Sequence, residues 1–293
     1  MRGLCLAAAV AGGALFAATL NSEDAKPVRL VMMGDSVTAS RSAPEGQKIP
    51  EVVEKALGAL SGRRFAWTVV NAGVGSETAE GGLAREAGVI DREKPDVVTF
   101  SYGLNDAGRK DPKWFADRMA SLVETAQRKP SKPQAVLLTT TPIDDKRHFY
   151  GKDPKFAPDG GDAWIDRRLN GATRLLAVER GLPLIDVHRE FVRAPEWQKL
   201  LAGDGIHPTP AGNKLVGEYV ARALAAWAEA KESPKSKAAQ AEKSARAKLD
   251  LARKAMAAKK TAEAKKLLAD AGDLCPWLAE IWAALDEAEA AGR

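Results

Sequence analysis

The chain is poor in the residues that most often announce a crosslink or a metal. It has two cysteines, Cys5 and Cys275, and three histidines, His148, His188 and His207. Cys5 lies at the start of an N-terminal apolar run, too early to be the lipidated cysteine of a lipoprotein. If that run is removed, Cys275 is left alone and no internal disulfide can form. No His/Cys cluster has the spacing of a zinc site, so the expected complement of metals and cofactors is none. The stretch "GVGSET" is not followed by Gly-Lys-Ser/Thr, which excludes a phosphate loop. No pair of acids stands out for glycosidase chemistry. Stability must therefore come from a core, and any general base must come from three histidines.

Positive charge is also scarce outside one segment. The net charge of +5 invites a nucleic-acid reading, but residues 231–266 hold twelve Lys/Arg against four Asp/Glu. Taking that +8 from the total leaves −3 elsewhere, so the expectation is no nucleic-acid partner. The one long apolar run is "MRGLCLAAAVAGGALFAATL", followed by polar "NSEDAK". Its single Arg, Ala/Leu/Gly body and small residues toward Ala25 have the form of a secretory signal peptide over residues 1–25. An uncleaved anchor is the alternative, but so much Ala and Gly makes a weak span, and no stable membrane insertion is expected. The expected location is secreted or periplasmic.

With 293 residues the chain is long enough for one large domain and a small appendage. From Val28 short apolar runs alternate with amphipathic stretches. Strands are expected at Val28–Met33, Ala66–Asn71, Val97–Ser101, Ala135–Thr140 and Pro183–Asp186. Helices are expected at Ile49–Leu60, Thr78–Ile90, Pro112–Gln127, Ile165–Glu179 and Pro210–Ala230. Continuous apolar strands separated by helices predict an α/β fold with a parallel sheet covered on both faces. Residues 26–230 form this unit, 231–240 read as a Pro/Ser/Lys linker, and 241–293 as a helical extension resembling tetratricopeptide-type repeats. That extension should dock on the main domain, a second copy or a protein partner; a solvated tail is the alternative.

Sites in such sheets gather at the carboxyl ends of strands. Three stretches carrying hydroxyl, amide and glycine fall there. "VMMGDSVTAS" ends the first strand on Gly34-Asp35-Ser36, "VVNAGVGSET" ends the second, and "SYGLND" follows the third with Gly103 and Asn105. A serine hydroxyl needs an oriented base to become a nucleophile. "GDGIHPTPAG" supplies one: Asp204 and His207, three residues apart in a tight turn, present carboxylate and imidazole together. A developing oxyanion needs preorganised donors, which the Gly-rich turn and the Asn105 amide can supply. Asp35 and Asp106 read as local backbone acceptors. Tyr102 and His148 are candidates for substrate contact, and His188 for a satisfied helix-start histidine.

Taken in order, Gly34-Asp35-Ser36, the turn after Asn71, Gly103-Leu104-Asn105-Asp106 and Asp204-Gly205-Ile206-His207 resemble the SGNH (GDSL) hydrolase superfamily over about residues 28–230. The resemblance implies a flavodoxin-like three-layer α/β/α sandwich with a five-stranded parallel sheet and a metal-free Ser-His-Asp triad. It makes Ser36 the nucleophile and first oxyanion N–H, His207 the base, Asp204 its orienter and Asn105 the side-chain donor. The family's second block reads Asn-x-x-x-x-Gly-x-Thr; here Ser76 occupies the glycine's place and Gly75 precedes it, so the resemblance implies a second backbone donor at Gly75 or Ser76. The implied activity is that of an exported serine esterase, with an acyl group such as acetyl on carbohydrate as the expected substrate. A broad arylesterase, thioesterase or lysophospholipase is the alternative. A binding or scaffold protein with a decayed site is the reading from another class.

Overall fold

The computed structural model describes residues 25–292 except 63 and 110. The segment read as a signal peptide, with its anchor alternative and Cys5, falls outside the described residues but for residue 25. Among the described residues no helix is long and apolar enough to cross a membrane.

Five parallel strands form one sheet: β1 (Lys26–Gly34), β2 (Phe65–Gly73), β3 (Val97–Ser101), β4 (Gln134–Leu138) and β5 (Leu184–Ile185), in the order β2-β1-β3-β4-β5. The chain starts in the middle and winds outward both ways. Central strands are buried on both faces: Leu30, Val31, Met32 and Met33 are at most 1% exposed, which explains their unbroken apolar sequence. After the one-turn helix α1 (Ser36–Ala39), the longer helices are α2 (Ile49–Leu60), α3 (Ala79–Glu93) and α4 (Pro112–Arg128). The short α5 (Gly161–Ile165) precedes α6 (Gly171–Arg180), α7 (Val187–Arg193) and α8 (Pro210–Glu232). α2 and α7 pack on α8, while α4 packs on α3 and α6, giving the two helical layers of an α/β/α sandwich. Their starts are set locally. Thr78, Asp111 and Thr209 accept hydrogen bonds from the N–H groups of Gly81, Trp114 and Gly212, and Pro112 and Pro210 stand in first turns.

Several boundaries moved for identifiable reasons. β4 stops at Leu138 because the Thr140 N–H turns to the side chain of Asn170 (3.0 Å). The helix expected over Ile165–Glu179 is interrupted at Asp166–Asn170 by a wider π turn, which aims Asn170 at the end of β4. β5 ends where Asp186 caps α7 by accepting from Arg189 N–H (3.2 Å).

The C-terminal residues form α9 (Lys237–Ala257), α10 (Thr261–Leu274) and α11 (Ala279–Ala290). Within the 231–240 stretch read as a linker, α8 runs to Glu232 and α9 begins at Lys237. These helices dock on the sheet domain. α9 packs on α8 and α11 on α6, bridging the two layers around the short edge strand β5. The Leu184 N–H of that edge donates to the Trp277 carbonyl (3.1 Å), so the extension covers an otherwise open sheet edge. Trp277, Leu278, Ile281, Trp282 and Leu285 are buried in the contact. Charge joins it too. Arg174, almost fully buried, pairs with Asp186 (2.8 Å) and Asp166 (2.7 Å), and with Asp286 of α11 (3.2 Å). Arg189 meets Asp286 and Glu289, and Arg193 meets Asp273.

One buried acid of this fold has no partner. Both carboxyl oxygens of Glu86, on the inner side of α3, lack a hydrogen bond among the described residues, and burial pushes its pKa up to about 8 against the pull of Lys129. The native state thus keeps a proton that the unfolded chain releases near pH 4.5, and stability falls as pH rises from there through about 8. Glu86→Gln is expected to raise Tm by about 3–6 °C at pH 9 and by less than about 1 °C at pH 4. Thermal melts across that range check this; a gain independent of pH would refute it.

Candidate active site

The site is assembled at the carboxyl ends of β1, β2 and β3. Gly34 closes β1 where no side chain fits: a Cβ there would lie 2.2 Å from Thr38 Oγ1 and 2.7 Å from the Ser101 carbonyl. Asp35 follows, 2% exposed, and its carboxylate accepts from Val37 N–H (2.8 Å), capping α1. Burial raises its pKa to about 7, against the Val37 hydrogen bond. It is a buried cap, in keeping with its reading as a local acceptor. This turn places Ser36 at the first residue of α1.

The loop before α8 brings its residues from the other end of the chain. Asp204 Oδ1 accepts from the N–H groups of Ile206 and His207 (both 3.1 Å), and Gly205 takes φ +73°, a left-handed turn suited to glycine. The turn folds the imidazole onto its own loop carboxylate: His207 Nδ1 lies 2.7 Å from Asp204 Oδ2. The other ring nitrogen, Nε2, lies 2.8 Å from Ser36 Oγ, across 171 positions of sequence. A carboxylate on Nδ1 favours the tautomer with its proton there, leaving Nε2 as acceptor for the hydroxyl. Burial works against the Asp204 charge, but the His207 bond and the two N–H groups hold its carboxyl below the ordinary range.

The donor side is formed by the turn after β2 and the loop after β3. β2 runs to Gly73, beyond the expected end at Asn71. In the turn, Val74 N–H donates to the Gly34 carbonyl and Glu77 N–H to that of Val74; the N–H groups of Gly75 and Ser76 have no partner among the described residues. Ser76, in the place of the family's glycine, adopts φ +59°, the left-handed conformation a glycine would take more easily. Gly75 lines a cavity of about 350 Å³ with Ser36, Asp204 and His207. Asn105 Nδ2 donates one hydrogen to the Glu77 carbonyl (2.9 Å) and has its second free among the described residues. Asp106 accepts from Ala79 N–H (3.0 Å), a backbone role as expected.

Two supports, Glu77 and Arg147, left no trace in sequence, and Tyr102, read as a candidate for substrate contact, is a third. Glu77 is held by Arg85 and by the Tyr102 hydroxyl (2.9 Å), which fixes the turn between Ser76 and Asn105. Tyr102 is 1% exposed and buttresses this turn. Arg147, in the long polar loop, donates to Asp144 and to the carbonyls of Gln198, Leu201 and Ala202, while Asp144 N–H reaches the Gly205 carbonyl (2.7 Å). The loop that carries His148 therefore braces the Asp204–His207 turn. His148 is 7% exposed and stacks with Phe149 and Tyr150; its ring accepts from Tyr150 N–H. His188 is buried and faces Asp162 and Asp166, away from Ser36's partners.

Comparison with known proteins finds relatives of the whole sheet domain. An arylesterase from Vibrio mimicus is 26% identical over 201 residues, spanning 67% of this chain and 88% of the relative. Esterase TesA from Pseudomonas aeruginosa is 27% identical over 205 residues, 70% of this chain and 91% of the relative. A crystal structure of TesA superposes with a TM-score of 0.53 at 25% identity, covering 70% of this chain and 98% of that one. A model of the GDSL-like lipase/acylhydrolase family matches residues 32–215. That span is more than half of the chain, and this protein therefore belongs to the GDSL-like lipase/acylhydrolase family and is a carboxylic ester hydrolase.

Proposed function

We propose that Ser36, His207 and Asp204 are the catalytic triad of an exported esterase that removes small acyl groups, such as acetyl, from carbohydrate. The single observation that carries the triad is the unbroken line from Ser36 Oγ through both ring nitrogens of His207 to Asp204, at 2.8 and 2.7 Å. In this mechanism His207 Nε2 takes the Ser36 proton as Oγ attacks the ester carbonyl. The tetrahedral oxyanion is met by the N–H of Ser36, the N–H of Gly75 or Ser76, and the Asn105 amide. The alkoxide leaves with the proton carried by His207, and water activated by the same ring releases the acyl-enzyme. Residues 26–230 are the catalytic unit in this reading, with the C-terminal helices as its brace. Export rests on the form of the first 25 residues.

The small-acyl preference follows from the cavity. Beside the triad it is lined by Arg41 and by the short side chains of Ala39, Ser42, Gly75 and Ala202, which offer no apolar channel for a long chain. A broad arylesterase is the second reading, favoured by the Vibrio mimicus relative. p-Nitrophenyl esters of two to twelve carbons, assayed beside an acetylated oligosaccharide, separate the two. The expected result is a fall of about tenfold or more in kcat/KM between the acetyl and octanoyl esters, with release of acetate from the oligosaccharide. Equal or rising rates with chain length would overturn the small-acyl reading.

A further inference from the structure

The triad's cavity holds one charge that no group among the described residues neutralises. Arg41 lines it together with Ser36 and His207, is exposed, and has no hydrogen bond or ion pair among the described residues. The other ionised group of the lining, Asp204, is engaged by His207. Arg41 is also held by construction rather than left on a loose loop. Ser40, just before it, is 7% exposed and sits at φ +46°, a conformation serine adopts at some cost. Three bonds keep it there: its N–H donates to the Ser36 carbonyl (2.9 Å), its hydroxyl donates to the Val37 carbonyl (2.6 Å), and Ile49 N–H donates to that hydroxyl (3.3 Å). Asn71 Nδ2 adds a bond to the Ala39 carbonyl (3.1 Å). The backbone that presents Arg41 is thus tied to the same short helix that presents Ser36.

Resting on the esterase reading above, we propose that Arg41 recognises an oxyanion on the alcohol part of the substrate, so that the preferred esters are short acyl esters of an acidic sugar. A guanidinium presents paired N–H donors that match a carboxylate or phosphate, and its attraction is strongest beside a partly desolvated cavity wall. The rest of the lining carries no second guanidinium or ammonium group. Because Ser36 and Arg41 line one cavity, a sugar ring esterified at a hydroxyl and carrying its acid a few bonds away can present each group to its partner.

The test uses a matched pair, an O-acetylated methyl glucuronide as its free acid and as its primary amide, with acetate release measured on the full chain and on Arg41→Gln and Arg41→Glu. The expected native ratio of kcat/KM, acid over amide, is about tenfold, falling toward one in Arg41→Gln and below one in Arg41→Glu. Raising salt to about 1 M should shrink the native ratio, since exposed charges are screened. A third arm, O-acetylated glucose 6-phosphate, tells carboxylate from phosphate by which ester shows the larger Arg41-dependent ratio. A native ratio of one, or a ratio that survives Arg41→Gln, overturns the assignment. Loss of acetyl-ester hydrolysis in none of the Ser36 variants would instead sink the esterase reading itself.

Discussion

Ser36→Ala is expected to lower kcat for a simple acetyl ester by about 10⁵–10⁶-fold with the fold retained, and to abolish labelling by a fluorophosphonate. Ser36 Oγ is the atom that must form the covalent bond, and its single hydrogen-bond partner among the described residues is His207. His207→Ala should cost a similar factor. The double variant should be no worse than either single one, because nucleophile and base act as a unit. Asp204→Asn should cost less, about 10²–10⁴-fold. Its side chain is 49% exposed, so solvent replaces part of its effect on the imidazole. Asn105→Ala should remove about 2.7–4 kcal/mol of transition-state stabilisation in the same assay. Retention of activity within tenfold in Ser36→Ala would end the triad assignment.

Arg174→Leu is expected to destabilise the protein by about 3–5 kcal/mol, read as a shift in the urea midpoint. Arg174 is 0% exposed and its guanidinium pairs with Asp186, itself 0% exposed, as well as with Asp166 and Asp286. Removing it leaves Asp186 only the more distant Arg189 (3.4 Å) as a counter-charge, and the cost of a poorly paired buried carboxylate exceeds the worth of the pair. Asp286→Ala should cost markedly less, about 1 kcal/mol, since Arg174 keeps its other two acids. The deficit of Arg174→Leu should narrow as pH falls. Arg174 holds the Asp186 carboxyl below the ordinary range despite burial, and without it that carboxyl gains a proton readily in acid. Equal costs for the two variants would refute the hierarchy.

The parts of the site that were legible in sequence are those whose chemistry is local. Asp204 and His207 meet inside one tight turn, so three residues of spacing sufficed to pair them. Ser36 and Asn105 were found because an apolar strand ended on them. Arg147, Glu77 and Arg41 carried no such mark, because each acts through partners remote in sequence: Arg147 on carbonyls some fifty residues away, Glu77 on Tyr102 and Asn105, Arg41 through an absence of partners. The bracing role of the loop after β4 was hidden for the same reason. Arg147 of that loop reaches the carbonyls of Gln198, Leu201 and Ala202 in another one.

Strand and helix placement came from the amino-acid order alone, because burial on both faces demands unbroken apolar runs and helical layers demand periodic ones. The order of strands in the sheet, the convergence of Ser36 with His207 and the seating of the last three helices came from tertiary packing. The extension shows why most clearly. Its lysines are visible in sequence as a basic tail, yet its position is set by Asp273, Asp286 and Glu289, which pair with arginines on α6 and α7 only once the sheet has formed. Complementary charges and an open strand edge have no partner until the fold brings one within reach.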